Sequence, residues 1–166
     1  MPLVRRKGRN GPFVRSMSRA DVAPHIKKMI TKYYKKYRYS CHEEVGVGKW
    51  GRIRADLLAI NMKRSMVIVE VKSCWQDFNT DKKWSKYLAL CDKFYFAFLE
   101  SVWEKEKHRL LPAIKGSGAG IILVPEDGRC ACRIALSAKT QTGLSEDTRL
   151  WLLTKLACKA GSWSKK

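Results

Sequence analysis

The chain is short of acid, of paired cysteines and of long apolar runs. Only 15 Asp and Glu stand against 34 Lys and Arg in 166 residues, a formal net charge of +19. Ordinary solubility does not need that excess, and it points to a polyanionic partner, with nucleic acid first. No apolar run approaches the ~18 residues of a spanning helix, and the N-terminus shows no hydrophobic signal core, so no membrane partner is expected. The location expected is cytoplasmic and nucleoid-associated, with reduced thiols. The six cysteines contain no Cys-x-x-Cys pair and the histidines, His25, His42 and His108, are scattered, which argues against a zinc site. Cys130 and Cys132 would share one face of a strand, as two small core residues or as two ligands. No internal repeat is found, and 166 residues suit one domain with a real core: a basic arm over 1–17 and a single folded unit over 18–166.

What is there is organised around two apolar runs. Residues 52–60 and 66–72 are β-branched and apolar enough for buried strands, and the polar Asn61-Met62-Lys63-Arg64-Ser65 between them suits a hairpin loop. Paired antiparallel about Lys63, they bring Asp56 opposite Glu70, with Lys72 two residues further along the same face. Opposed like charges destabilise a sheet unless something offsets the repulsion, and a divalent cation would. Mg2+ takes hard oxygen ligands, one or two carboxylates plus waters and substrate phosphate, and Asp56 with Glu70 supply that set. Lys72 beside the metal would orient or deprotonate an attacking water and stabilise charge on a phosphate. The plainer alternative is an aspartate at a strand end and a Glu70–Lys72 pair on a solvated face. Charges inside apolar runs are rare unless paired or coordinating metal, which favours the metal site.

Around this hairpin the remaining segments fall into order. Residues 1–17 carry Arg5, Arg6, Lys7, Arg9 and Arg15, either to track phosphates or to solubilise. Ser18-x-x-Asp21 opens a helix with Val22, Ile26, Met29, Ile30, Tyr33, Tyr34 and Tyr37 on one face, and Pro24 fits if it stays in the first turn. The other face, with Lys27, Lys28, Lys32, Lys35 and Lys36, is a phosphate track or a solvated surface. After a strand over 39–45, Gly46-Val47-Gly48-Lys49-Trp50-Gly51 spells a dinucleotide fingerprint that no helix follows, so a hairpin tip fits better. Lys49, Trp50 and Arg52 on that tip could meet DNA, Trp50 by stacking, or Trp50 could fold back over the core. Glu44 is placed to reach the metal or to form a surface ion pair. Thr80-Asp81 is read as starting a helix with Trp84, Tyr87, Leu88 and Cys91 on one stripe. Asp77 and Asp81 then hold Lys83 or the helix N-terminus in preference to a metal. A buried strand over 94–98, a helix over 101–111, strands over 120–125 and 129–136 joined at Glu126-Asp127-Gly128, and a last helix capped by Ser145 complete the chain.

Asp56, a hairpin, then Glu70-Val71-Lys72 resembles the core of PD-(D/E)XK nucleases, with Ala55-Asp56 in place of Pro-Asp. Further on, Ser73, Asp77-Phe78, Asp81-x-Lys83-Trp84, Tyr87, Cys91-Asp92 and Tyr95-Phe96-Ala97 are similar to the MmcB-like branch, which implies a DNA-repair endonuclease. The resemblance implies an α/β, restriction-endonuclease-like core of αβββαβ order, a mixed sheet flanked by helices, extended by a C-terminal hairpin and helix. It implies Mg2+ or Mn2+ held by Asp56, Glu70 and the Val71 main-chain carbonyl, with Glu44 as a further acidic candidate, and products with 5′-phosphate and 3′-hydroxyl ends. Ser73, Lys83, Tyr87 and Arg54 are then the residues expected at phosphate, on duplex or branched DNA with weak sequence preference. One site nicks one strand, so paired cuts would need a homodimer or two visits. The alternative is a DNA-binding protein that keeps the fold without cutting, against which the intact Asp56, Glu70 and Lys72 argue.

Overall fold

A computed structural model describes residues 17–48, 51–129 and 131–160. The arm up to residue 16, Lys49, Trp50 and Cys130 therefore lie outside the described residues. Met17 does not belong with that arm, because it packs against the core beneath the first helix.

The elements run α1 (Arg19–Lys36), β1 (Tyr39–Val47), β2 (Ile53–Asn61), β3 (Met66–Val71), α2 (Trp75–Thr80), a 3-10 helix (Trp84–Ala89), β4 (Lys93–Leu99), α3 (Glu100–Ile114), β5 (Gly120–Val124), β6 (Arg133–Leu136) and α4 (Glu146–Ala160). The six strands form one sheet in chain order. β1–β2, β2–β3 and β5–β6 are antiparallel, whereas β3–β4 and β4–β5 are parallel. This is the expected αβββαβ core with its C-terminal additions.

Alternation explains the two cores. On β2 to β5, Leu57, Ala59, Val67, Val69, Tyr95, Ala97 and Ile122 face α1, which meets them with Ile26, Met29, Ile30 and Tyr34. Leu58, Ile60, Met66, Ile68, Phe94, Phe96, Phe98 and Ile121 face the other way, under Phe78, Tyr87, Trp103, Leu110, Leu152 and Leu156. Because both faces are covered, β3 and β5 are buried at every position, as central parallel strands are. Gly120 is fixed by crowding: a Cβ there would lie 2.4 Å from the Tyr95 ring and 2.6 Å from the Ala138 nitrogen.

Four local expectations need correction. α1 begins at Arg19, so Pro24 sits in its second turn; buried Val22 and Ile26 on either side carry the helix through the missing N–H bond. The Ser18 hydroxyl bonds the Asp21 carboxylate instead of an orphan main-chain N–H, so no full capping box forms. The helix read from Thr80-Asp81 is two pieces, α2 and the 3-10 helix, because Asp81 leaves the helical region (φ −77, ψ 96) and its side chain turns to other partners. Finally, β6 starts only at Arg133, since Glu126 Oε1 accepts the Ser101 N–H at 3.0 Å and ties the connection to the start of α3 in place of a tight hairpin turn.

Candidate active site

The β2–β3 ladder has the expected register, Leu57↔Val69 through Ile60↔Met66. One step further Asp56 meets Glu70, and there regular pairing gives way to side chains. Glu70 Oε1 accepts the Asp56 N–H at 3.0 Å, and Asp56 Oδ2 accepts the Val71 N–H at 2.8 Å. The two strands are thus stapled, at the point where they part, by the carboxylates that the hairpin brings together. Lys72 follows at the end of β3, its N–H bound to the Ala97 carbonyl of β4 (3.0 Å). Its Nζ donates to Asp81 Oδ2 at 2.7 Å and lies 3.9 Å from Glu70 Oε2. Glu70 and Lys72, 5% and 6% exposed, are the buried charged residues among the described ones.

Burial and mutual repulsion outweigh the N–H bonds and the Lys72 charge at this acidic pair. Burial, then the neighbouring Asp56 carboxylate, push the Glu70 carboxyl up to about 7. Burial also raises Asp56, against the pull of the Val71 N–H bond. Asp81 goes the other way: burial opposes its ionisation, but the bonds from Lys72 Nζ and from the Lys83 and Trp84 N–H groups outweigh it and hold the carboxyl low. Each of the Asp56 and Glu70 carboxylates spends one oxygen on a main-chain N–H, which fixes its orientation and leaves the second oxygen as a hard donor. That donor chemistry fits Mg2+ or Mn2+. No group of three His, Cys, Asp or Glu side chains suited to a metal occurs among the described residues, so a third ligand would come from main chain, water or substrate.

The rim departs further from the sequence reading. Glu44 stands between the pairs Glu43↔Leu57 and Val45↔Ala55 at φ 52, a left-handed backbone costing about 1 kcal/mol or more for a non-glycine residue. Its carboxylate is engaged by Lys27 and by Arg54 Nε (2.9 Å), so the ion-pair alternative is the one this conformation shows. Lys27, bonding it, lowers its carboxyl. Ser73 is committed to Asp77, whose Oδ2 accepts both its N–H (2.9 Å) and its hydroxyl (3.2 Å). Tyr87 and Lys83 do not share a face. A 3-10 helix has about three residues per turn, so a spacing of four separates them. Lys83 caps that helix in solvent, while Tyr87 is buried with its hydroxyl donating to the Arg54 carbonyl at 2.7 Å. Burial, then the Glu70 and Asp56 charges, raise the Tyr87 hydroxyl, which marks it as a wall of the site. Arg52 and Arg54 are exposed beside the entrance.

Sequence reasoning missed Asp81 as the partner of Lys72 and Lys27 as the cation over Glu44. A lysine at the end of an apolar strand does demand a carboxylate, and only the fold says which.

Comparison with known proteins gives a family and two structural relatives. Residues 12–163 match the family described as DNA repair protein MmcB-like. A solved protein of unknown function from Silicibacter pomeroyi superimposes with a TM-score of 0.69 at 23% identity, covering 84% of this chain and 86% of that one. An XisH family protein from Nostoc punctiforme gives a TM-score of 0.51 at 11% identity, over 69% of this chain and 98% of that one. At such identities both show a shared fold. None of the curated proteins matches. The chain belongs to the MmcB-like family of DNA repair proteins.

Proposed function

We propose that the protein is a Mg2+- or Mn2+-dependent deoxyribonuclease that hydrolyses phosphodiester bonds in DNA during repair, recombination or replication. The observation that carries this reading is the meeting of the half-buried Asp56 carboxylate and the buried Glu70 carboxylate with the buried ammonium of Lys72 where β2 and β3 part. A protein that only bound DNA would gain nothing from an acidic pair facing a polyanion.

Asp56, Glu70 and the Val71 carbonyl would hold the metal, which when bound supplies Lewis acidity and a water of lowered pKa. Lys72 would orient an attacking water for in-line displacement and offset charge developing on the phosphate. Asp81 acts through Lys72 by fixing its ammonium. Arg52 and Lys83, both exposed, and Arg54, exposed but paired with Glu44, would meet the backbone on either side of the reacting phosphate.

The test is a panel of labelled linear, circular, flapped and four-way DNA incubated with Mg2+ or Mn2+. Asp56→Asn and Glu70→Gln should abolish cleavage and Lys72→Ala lower turnover by orders of magnitude, all with DNA affinity nearly intact, because these groups act in the transition state. Wild-type cleavage by either carboxylate variant overturns the assignment. No cleavage by wild type, with binding weakened in Lys72→Ala, identifies a DNA-binding protein on a nuclease fold.

A further inference from the structure

The outer face of α1 carries charge that the site does not use. α1 has six Lys and Arg against one acid, whereas α3 has three of each. On α3, Lys107 is paired with Glu104 at 2.7 Å and Arg109 with Glu106 at 3.7 Å. On α1, Lys27 has carboxylate partners, but Lys28, Lys32, Lys35 and Lys36 are exposed and form no ion pair among the described residues; Lys32 reaches only the Gly128 carbonyl, at 3.4 Å. Like charges four residues apart, as Lys28–Lys32 and Lys32–Lys36 are, destabilise an isolated helix by a few tenths of a kcal/mol, ~0.2–0.5 per pair. The fold keeps this unfavourable pattern on one helix while neutralising another.

Lys28, Lys32 and Lys35 fall at i, i+4 and i+7, so they lie on one side of α1, and with Thr31 and Glu43 they line a groove between α1 and the edge strand β1. The groove's carboxylate, Glu43, is already 4.0 Å from Lys27 Nζ. Lys27 ties the groove to the rim of the site, since it pairs both with Glu43 in the groove and with Glu44, whose other partner is Arg54. At 1.5 Å per residue the stripe is about 10 Å long, and one DNA strand presents about three phosphates in that length.

We infer that the α1–β1 groove seats the DNA backbone on one side of the scissile bond, with Lys28, Lys32 and Lys35 each neutralising a phosphate. This rests on the DNA-directed reading above and assigns the surface along which the substrate leaves the site.

The test is equilibrium binding of a short fluorescent duplex to the full chain, with a chelator present so that nothing is cut, over a series of salt concentrations. Lys28→Gln/Lys32→Gln/Lys35→Gln should make the slope of log affinity against log salt shallower by about 2.7, at about 0.9 per phosphate. The control Lys105→Gln/Lys107→Gln/Arg109→Gln, which removes three cations from α3, should change it by less than about 1. Melting curves for both triples should stay close to wild type, because all six side chains project from exposed positions of their helices. An unchanged slope for the α1 triple, or an equal change for the α3 triple, overturns the inference. Wild type that binds with a steep slope but cuts no substrate removes the nuclease reading and leaves the groove standing. Wild type without salt-dependent DNA binding removes both.

Discussion

Lys72 lies buried with its ammonium between two carboxylates, and Asp81 is the nearer by more than an ångström, at 2.7 Å against 3.9 Å to Glu70. A lysine chain has four rotatable bonds, so an ammonium that must meet a reacting phosphate needs something to hold it. Asp81→Ala should lower turnover by about 10- to 100-fold, in line with the ~1.5–3 kcal/mol of a hydrogen bond to a charged group. Asp81→Asn, which keeps an acceptor, should recover most of that loss. In a Lys72→Ala background the Asp81→Ala change should cost nothing further in rate, because it acts through an ammonium no longer there. Single-turnover rates for wild type, Asp81→Ala, Lys72→Ala and the double variant decide this, and additive losses would refute it. The pairing of Asp56 with Glu70 was legible because a two-residue period and a short polar loop leave one sensible register for the hairpin. Asp81 was not, because its partner Lys72 stands nine residues earlier, on the far side of α2, and no periodicity links them.

Elements far from the site hold the hairpin that builds it. α4 is fastened by Arg149, whose guanidinium meets Asp92 through two bonds, Nη1 to Oδ2 (2.9 Å) and Nη2 to Oδ1 (2.8 Å), and also reaches the Arg64 carbonyl at 2.6 Å. Asp92 Oδ2 accepts the Met66 N–H at 2.7 Å as well, so the Asp92–Arg149 pair joins α4, the hairpin loop and the start of β3. Removing its charge by Asp92→Asn should destabilise the protein by about 2–3 kcal/mol, less than the ~3–5 of a fully buried pair because both side chains are only partly buried. For a chain of this length that is a fall in melting temperature of roughly 5–10 °C. The Arg149 bonds, followed by the Met66 N–H, hold the Asp92 carboxyl below its ordinary value. Its contribution is therefore complete above the unfolded carboxylate range near pH ~4, and is lost as the pH falls through the lower folded value. Melting temperature against pH should show an acid-side decline in wild type that is shallower in Asp92→Asn; parallel curves would refute the linkage. The strands and long helices were legible from their apolar runs. The 3-10 helix and the late start of β6 were not, since each is set by a tertiary bond, Asp81 to Lys72 and Glu126 to Ser101, that pulls a local segment away from its own preference.

A net charge of +19 acts over the whole molecule, and the question it raises is where the cations meet DNA. Residues 1–16 carry Arg5, Arg6, Lys7, Arg9 and Arg15 with no acid among them, a second basic segment besides the α1 groove. Each of those charges that neutralises a phosphate adds about 0.9 to the salt slope on duplex DNA, so deletion of 1–16, leaving Met17 in its place on the core, should make the slope shallower by up to about 4.5. The cut positions on each panel substrate should not move, because Asp56, Glu70 and Lys72 belong to the sheet and remain. If the segment and the groove hold different stretches of backbone, deletion and the α1 triple substitution should add within about 0.5 kcal/mol in binding free energy at fixed salt. A deletion whose slope equals that of the full chain would reduce the segment to a solubilising tail. A combined loss well short of the sum would mean that both compete for the same phosphates, and that the duplex is held on one track.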